Sequence, residues 1–141
     1  MIRIEQVSWA EAHEPLSLIR RKVFIEEQQV PESLEWDGED QQATQLLAYS
    51  DQIPVATLRM LKNGRLGRMA VLKEYRNQGI GHLLIERMIR LAQEQGLQQL
   101  NLSAQTHAVS FYLQFGFITE GKIYMDAGIP HQHMHRELAA N

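Results

Sequence analysis

The chain of 141 residues contains no cysteine. That absence removes disulfide scaffolds, thiolate metal sites and cysteine nucleophiles together, and it permits a reducing compartment. Proline occupies only 4 positions and glycine 9, too few for a low-complexity or collagen-like chain. No apolar run approaches the roughly 20 residues that a membrane-spanning helix needs, and the start, Met1-Ile2-Arg3-Ile4-Glu5, lacks the apolar stretch of a signal peptide, so a cytoplasmic, membrane-free protein is expected. A basic surplus is missing as well. The net charge is -3 and the isoelectric point near 6.1, which argues against general nucleic-acid binding, where a cationic surface must neutralise phosphates. What remains is a globular composition, 44% hydrophobic and 22% charged, at a length where one hydrophobic core is the default. A single domain over residues 1–141 is expected.

The charges are segregated. Between Val23 and Leu58 stand eight acidic residues (Glu26, Glu27, Glu32, Glu35, Asp37, Glu39, Asp40 and Asp51) and no Lys or Arg. Between Arg59 and Arg90 stand eight basic residues against only Glu74 and Glu86. One stretch is suited to cations and the next to anions, unless both are simply solvated faces.

Hydrophobic periodicity orders the elements. Ile2, Ile4 and Val7 alternate with polar residues as in a half-buried strand, and Ser8 with Glu11 has the spacing of a capping box. Leu16, Ile19 and Val23 predict a helix that starts at Ser8 or resets at Pro15 and ends before Pro31. Residues 31–43 read as an acidic loop with at most one helical turn. Leu46–Tyr49 and Val55–Leu61 read as a hairpin turning at Asp51-Gln52, and Asn63-Gly64 supplies the turn into a third strand, Leu66–Val71. Ile80, Leu84, Met88 and Leu91 then recur at helical spacing, with Gly96 placed for a left-handed cap. Leu97–Ala104 reads as a strand reached by a parallel crossover, Val109–Phe115 as a short helix, Phe117-Ile118 as the beginning of another strand and Met134–Leu138 as the last. The order is an antiparallel meander followed by βαβ units, an α/β mixed sheet with helices on both faces.

Between the third strand and the long helix lies Arg76-Asn77-Gln78-Gly79-Ile80-Gly81-His82. Glycines there let backbone N–H groups of a loop and a helix N-terminus converge on an anion, where the helix dipole also favours negative charge. A phosphate or pyrophosphate site and a plain turn are both consistent with the glycines alone. The turn is not a P-loop, because His82-Leu83 follows Gly81 where Lys-Ser/Thr would be needed. Nor is it a dinucleotide fingerprint, because Leu84 stands at the third glycine position and no acid ends the following strand.

Arg76-x-x-Gly79-x-Gly81, after Met69-Ala70-Val71 and before Leu83-Leu84, resembles the coenzyme A signature of the GNAT N-acetyltransferase superfamily. Ala104 through Tyr112, followed by Phe115-Gly116-Phe117, is similar to that superfamily's second motif. Val23-Phe24-Ile25-Glu26-Glu27-Gln28-Gln29-Val30-Pro31 and Asp126-Ala127-Gly128-Ile129-Pro130-His131 resemble the ends of a small bacterial branch. The resemblance implies a GNAT-like, mostly antiparallel mixed sheet splayed between two central strands, with acetyl-CoA as cosubstrate lying in the V. It implies that Met69 and Val71 offer backbone groups to pantetheine, that Gln78, Gly79, Ile80, Gly81 and His82 meet the pyrophosphate, and that Arg76 is its charged partner, with Lys73 at the outer phosphate. It implies an oxyanion donor near Val71, Tyr112 as general acid and His131 as general base beside an acceptor amine. Glu26, Glu27 and Asp126 are the weaker candidates for the base. A homodimer is consistent with the same likeness.

Two other readings stay open. His131, His133 and His135 alternate and would share one face of a strand, which suits metal ligation, although no clear fourth ligand accompanies them and no metal is expected. A non-catalytic acetyl-CoA-binding regulator is the second. The sequence leaves the acceptor open among small amines, amino acids, sugars, polyamines and protein lysines.

Overall fold

The structure, a computed structural model, describes residues 1–138, so the last three residues of the expected domain lie outside the described residues. Seven strands and four α-helices follow one another as β1 (Ile2–Val7), α1 (Trp9–Arg20), α2 (Glu32–Glu35), β2 (Thr44–Ser50), β3 (Ile53–Met60), β4 (Leu66–Val71), α3 (Ile80–Glu94), β5 (Gln99–Gln105), α4 (Val109–Leu113), β6 (Ile118–Asp126) and β7 (Ile129–Glu137). Among the described residues no helix is long and apolar enough to cross a membrane.

The first four strands pair antiparallel in the order β1-β2-β3-β4, and the last three in the order β5-β7-β6. Alternation explains the layers. Leu46, Ala48 and Leu58 turn to the face covered by α3, where Ile80, Leu84, Ile85 and Met88 are buried with them. Leu47 turns to the opposite face and packs with Leu16, Ile19 and Val23. The helices thus lie on both sides of the sheet, as the periodicity predicts.

Local chemistry sets the boundaries. Ser8 caps α1 by accepting the Glu11 N–H at 3.2 Å, and its hydroxyl donates to the Glu11 carboxylate at 2.9 Å, so only half of the anticipated capping box forms. The helix resets near Pro15, as one of the two expected readings has it: two helical pieces meet at the non-helical Ala12 (φ -124°), the turn before the proline ring, and the second widens into a π-helix over Arg21–Glu27. Gly96 takes φ +78° after α3, the left-handed position expected of it.

The region after β5 departs from the expected βαβ repeat. β6 and β7 form an antiparallel hairpin, and β7 inserts between β5 and β6. The turn is Ala127-Gly128, with φ of 52° and 77°, the left-handed pair that a two-residue hairpin turn requires. β6 begins at Ile118, as expected, whereas β7 starts at Ile129 rather than Met134, because the short Ala-Gly turn carries too weak a signal to mark its start. The parallel crossover from β4 to β5 is present, yet a single parallel bridge, Arg65 to Asn101, joins the two strands. Beyond that bridge they separate.

Candidate active site

The separation of β4 from β5 has a local cause. Gly67 pairs with Arg59 and Ala70 with Thr57, so β4 carries one extra residue against β3 at Arg68, which takes φ +54°. Such a bulge bends and twists the bulged strand away from the line of its sheet. β4 is also an edge of its sheet. The Leu72 N–H donates to Val55 O at 2.9 Å, so the two-residue alternation turns the backbone groups of Val71 and Met69 the other way, toward β5. A groove of about 710 Å³ fills the V, lined on one wall by Met69, Ala70 and Val71 and on the other by Ser103, Ala104 and Gln105.

The glycine turn closes the wide end of β4. Gly79 sits at φ +82° as the N-cap of α3 and provides no side-chain cap, while the Leu83 N–H returns to Gly79 O at 3.2 Å. The N–H groups of Ile80, Gly81 and His82 therefore have no partner within the helix, the usual condition for anion binding at a helix start. A side chain at Gly79 would meet no atom within 4 Å, so the glycine serves the left-handed backbone rather than local packing. A Cβ at Gly81 would make only ordinary contacts with Phe111 and Met69, at 3.5 Å and beyond, and space becomes short there only for larger side chains.

Arg76 departs from its expected place. Its guanidinium grips both carboxylate oxygens of Glu27, at 2.6 and 2.7 Å, and its Nε–H donates to Val71 O at 2.8 Å. The charge is thus neutralised inside the protein, and the Glu27 carboxyl is held below its ordinary value by that hydrogen bond. Arg76 braces the turn against the π-helix. Gln78 is exposed, and its side chain donates to Glu74 O at 3.4 Å. Lys73 is exposed. His82 packs on Phe115 with ring centroids 4.7 Å apart and reaches Glu86 at 3.4 Å.

Tyr112 and His131 both line the groove. Tyr112 is half-buried among Phe111 and Phe117, and burial pushes its phenol up to about 12, so it keeps its proton at neutral pH. His131 lies on β7 opposite Gln105, with Nδ1 2.7 Å from Ile129 O. A carbonyl only accepts, so Nδ1 carries the hydrogen and Nε2 of the neutral ring is left as an acceptor. The Tyr124 ring stacks against both His131 and His133, and its hydroxyl hydrogen-bonds Ser103. Glu120 takes His135 at 3.2 Å. Among the described residues no three His, Asp or Glu side chains converge as metal ligands.

Comparison with known proteins matches residues 5–138 to the family described as "Acetyltransferase (GNAT) domain". The chain belongs to the GNAT acetyltransferase family. It is 38% identical over 138 residues to the Bacillus subtilis (strain 168) protein YyaT, covering 94% of this chain and 93% of that one. It is 34% identical over 123 residues to YjcF of the same organism, called an N-acetyltransferase, with 84% and 88% covered. The crystal structure of Escherichia coli ElaA superposes with a TM-score of 0.88 at 27% identity, over 97% of this chain and 100% of that chain. Acetyl-CoA-dependent acetyl transfer is the general activity of GNAT proteins.

The acidic stretch before the GNAT signature is divided: Glu26, Glu27, Glu32, Asp37, Glu39 and Asp51 are exposed, while Glu35 and Asp40 are buried in an ion network. Arg20, 0% exposed, donates to Glu35 at 2.8 Å and to Asp40 at 2.6 Å. Arg59 forks onto Asp37 at 2.8 and 2.9 Å and reaches Asp40 at 3.2 Å. Arg68, the bulged residue of β4, touches Glu35 at 3.0 Å and Asp37 at 3.2 Å. Burial works to raise the Asp37 carboxyl, yet the Arg59 hydrogen bond and charge and the Glu39 N–H hold it at about 2. Three arginines and three carboxylates thus form one network joining α1, α2, β3 and the β4 bulge. Arg59 and Arg68 of the basic block meet Glu35, Asp37 and Asp40 of the acidic block there, while Arg20 comes from before both blocks.

Proposed function

We propose that this chain is an acetyl-CoA-dependent N-acetyltransferase, acting as one domain, that moves an acetyl group directly to the amine of a small molecule or a peptide within a ternary complex. The reading is carried by one observation: the edge of β4 at Met69 and Val71, where the Val71 carbonyl accepts from Arg76, lines the same groove as Tyr112 and His131. The bound cosubstrate supplies an activated acetyl thioester. Met69 and Val71 hold its pantetheine arm by backbone pairing, as an added strand would be held, and a β4 amide near Val71 steadies the acetyl oxygen. The amides of Gly79, Ile80, Gly81 and His82 receive the pyrophosphate, and Gln78 borders it. Arg76 contributes by fixing the turn through Glu27 and Val71.

Tyr112 is protonated at neutral pH and lines the groove, so it has a proton to give the departing sulfur. His131, with Nδ1 engaged by Ile129 O, offers Nε2 to the amine proton. Glu27 is the poorest alternative base, because Arg76 occupies both its oxygens. The test is thiol release from acetyl-CoA across a panel of amines, with the N-acetyl product identified by mass. Amine-dependent release supports the reading. Tight acetyl-CoA binding with no transfer to any amine would make the chain a regulator, and absence of binding would overturn the reading.

A further inference from the structure

The charged side chains that line the groove pair off with one another: Arg59 with Asp37, Arg68 with Glu35, and Arg76 with Glu27. Among the described residues two lining charges have no ionic partner, Arg65 and Asp126. They stand at opposite ends of the V. Arg65 precedes β4 at the narrow end, where its guanidinium donates to Asn101 Oδ1 at 3.2 Å. That single bond leaves most of its five N–H donors unused. Asp126 ends β6, on the strand pair that carries His131.

Arg65 is badly placed for the phosphates of the cosubstrate. The six residues of β4 put it roughly 20 Å, at about 3.3 Å per residue, from the strand end that leads to the glycine turn. It shares a face with polar groups instead. Asn101, Ser103 and Gln105 alternate with the buried Leu100, Leu102 and Ala104, and their cross-strand neighbours are His135, His133 and His131. Ser103 is bonded to the Tyr124 hydroxyl and Gln105 to Gln28, so on the row that runs about 13 Å along β5 from Arg65 to His131 opposite Gln105, the charged donor left for a ligand is Arg65. The side chain of Arg65 shortens what a ligand must span.

We propose that Arg65 with Asn101 forms an anion subsite for the acceptor, and that the acceptor is an amine carrying a carboxylate several bonds away from the reacting nitrogen. The fork of an arginine matches a carboxylate in two parallel hydrogen bonds, and Asp126 and His131 at the other end suit the amine. This inference rests on the transferase reading and names its substrate class.

The experiment compares acetylation of ω-aminohexanoate and of hexylamine, which differ in the carboxylate alone, by the wild type and by Arg65→Gln and Arg65→Lys. The wild type is expected to favour aminohexanoate in kcat/KM by about tenfold or more, the range of a charge-assisted hydrogen bond. Arg65→Gln should collapse that ratio through KM for the acid, and Arg65→Lys should restore part of it. The KM for acetyl-CoA should stay constant across the series, and equilibrium unfolding should confirm that the variants fold. Equal use of acid and amine by the wild type, or an unchanged ratio in Arg65→Gln, overturns the subsite while the transferase reading stands. Transfer to neither compound, with thiol release from other amines, also overturns the subsite, whereas failure to bind acetyl-CoA overturns both.

Discussion

Two regions flank the β4 bulge and are built from opposite materials. On the α1–α2 side, side-chain charges are buried and mutually neutralised, with Arg20, Arg59 and Arg68 locked to Glu35, Asp37 and Asp40. On the α3 side the functional groups are backbone amides at a strand edge and a helix start, and they are left without partners. A satisfied ion network has no capacity left for a ligand, but it fixes geometry; unsatisfied amides hold little together, but they bind. Arg68 joins the two, since the residue that bends β4 open is also the one clamped by Glu35 and Asp37. The charged half keeps the V open for the amide half.

That division can be broken from either side. The largest effect belongs to Arg20→Ala, which leaves buried Glu35 with Arg68 and buried Asp40 with Arg59 as their remaining ionic partners and should cost about 3 kcal/mol in urea unfolding, the low end for a broken buried pair. The folded fraction should still bind acetyl-CoA. Tyr112→Phe is the mirror case. Its hydroxyl makes no hydrogen bond within the protein among the described residues, so stability and acetyl-CoA affinity should stay close to wild type while kcat falls on the order of 10²-fold, read in single-turnover kinetics. His131→Ala should depress kcat less steeply, while His133→Ala, two register pairs along β7, should leave kcat near wild type. A His131 variant of near wild-type kcat moves the base to Asp126, Glu26 or solvent.

The smallest effect at physiological pH concerns acid. Asp37 titrates at about 2 in the folded protein, below the roughly 3.9 of an unfolded aspartate. Its stabilisation is therefore complete above about pH 4 and is lost as pH falls toward 2, and Asp40, also shifted down, adds to the same window. Thermal melts between pH 5 and pH 2 should show the decline, and Asp37→Asn should flatten part of it.

The amide half was more legible than the charged half. Glycine spacing and helical periodicity located the α3 start, and Tyr112 lay inside a recognisable motif, because those features are local in the chain. The pairing of Glu27 with Arg76 joins residues 49 positions apart, and Arg20 with Asp40 joins residues 20 apart. Composition showed that the charges were sorted but not which would meet. The bulge at Arg68 was hidden for a related reason: a left-handed arginine has no local signature, and its conformation is held by carboxylates on α2 and in the loop that follows. The Ser103–Tyr124 pair with its stacked histidines was missed because the β6–β7 hairpin that assembles it turns on a short Ala-Gly step.

The claim that acetyl-CoA is held by backbone in the V is tested most directly by amide hydrogen exchange with and without coenzyme A. Slowed exchange is expected at Met69 and Val71 on β4 and at Ile80, Gly81 and His82 on α3, with the amides around Arg20 and Asp40 unchanged. Coenzyme A that binds while the β4 and α3 amides exchange as before, or that protects the α1–α2 region instead, would contradict the account.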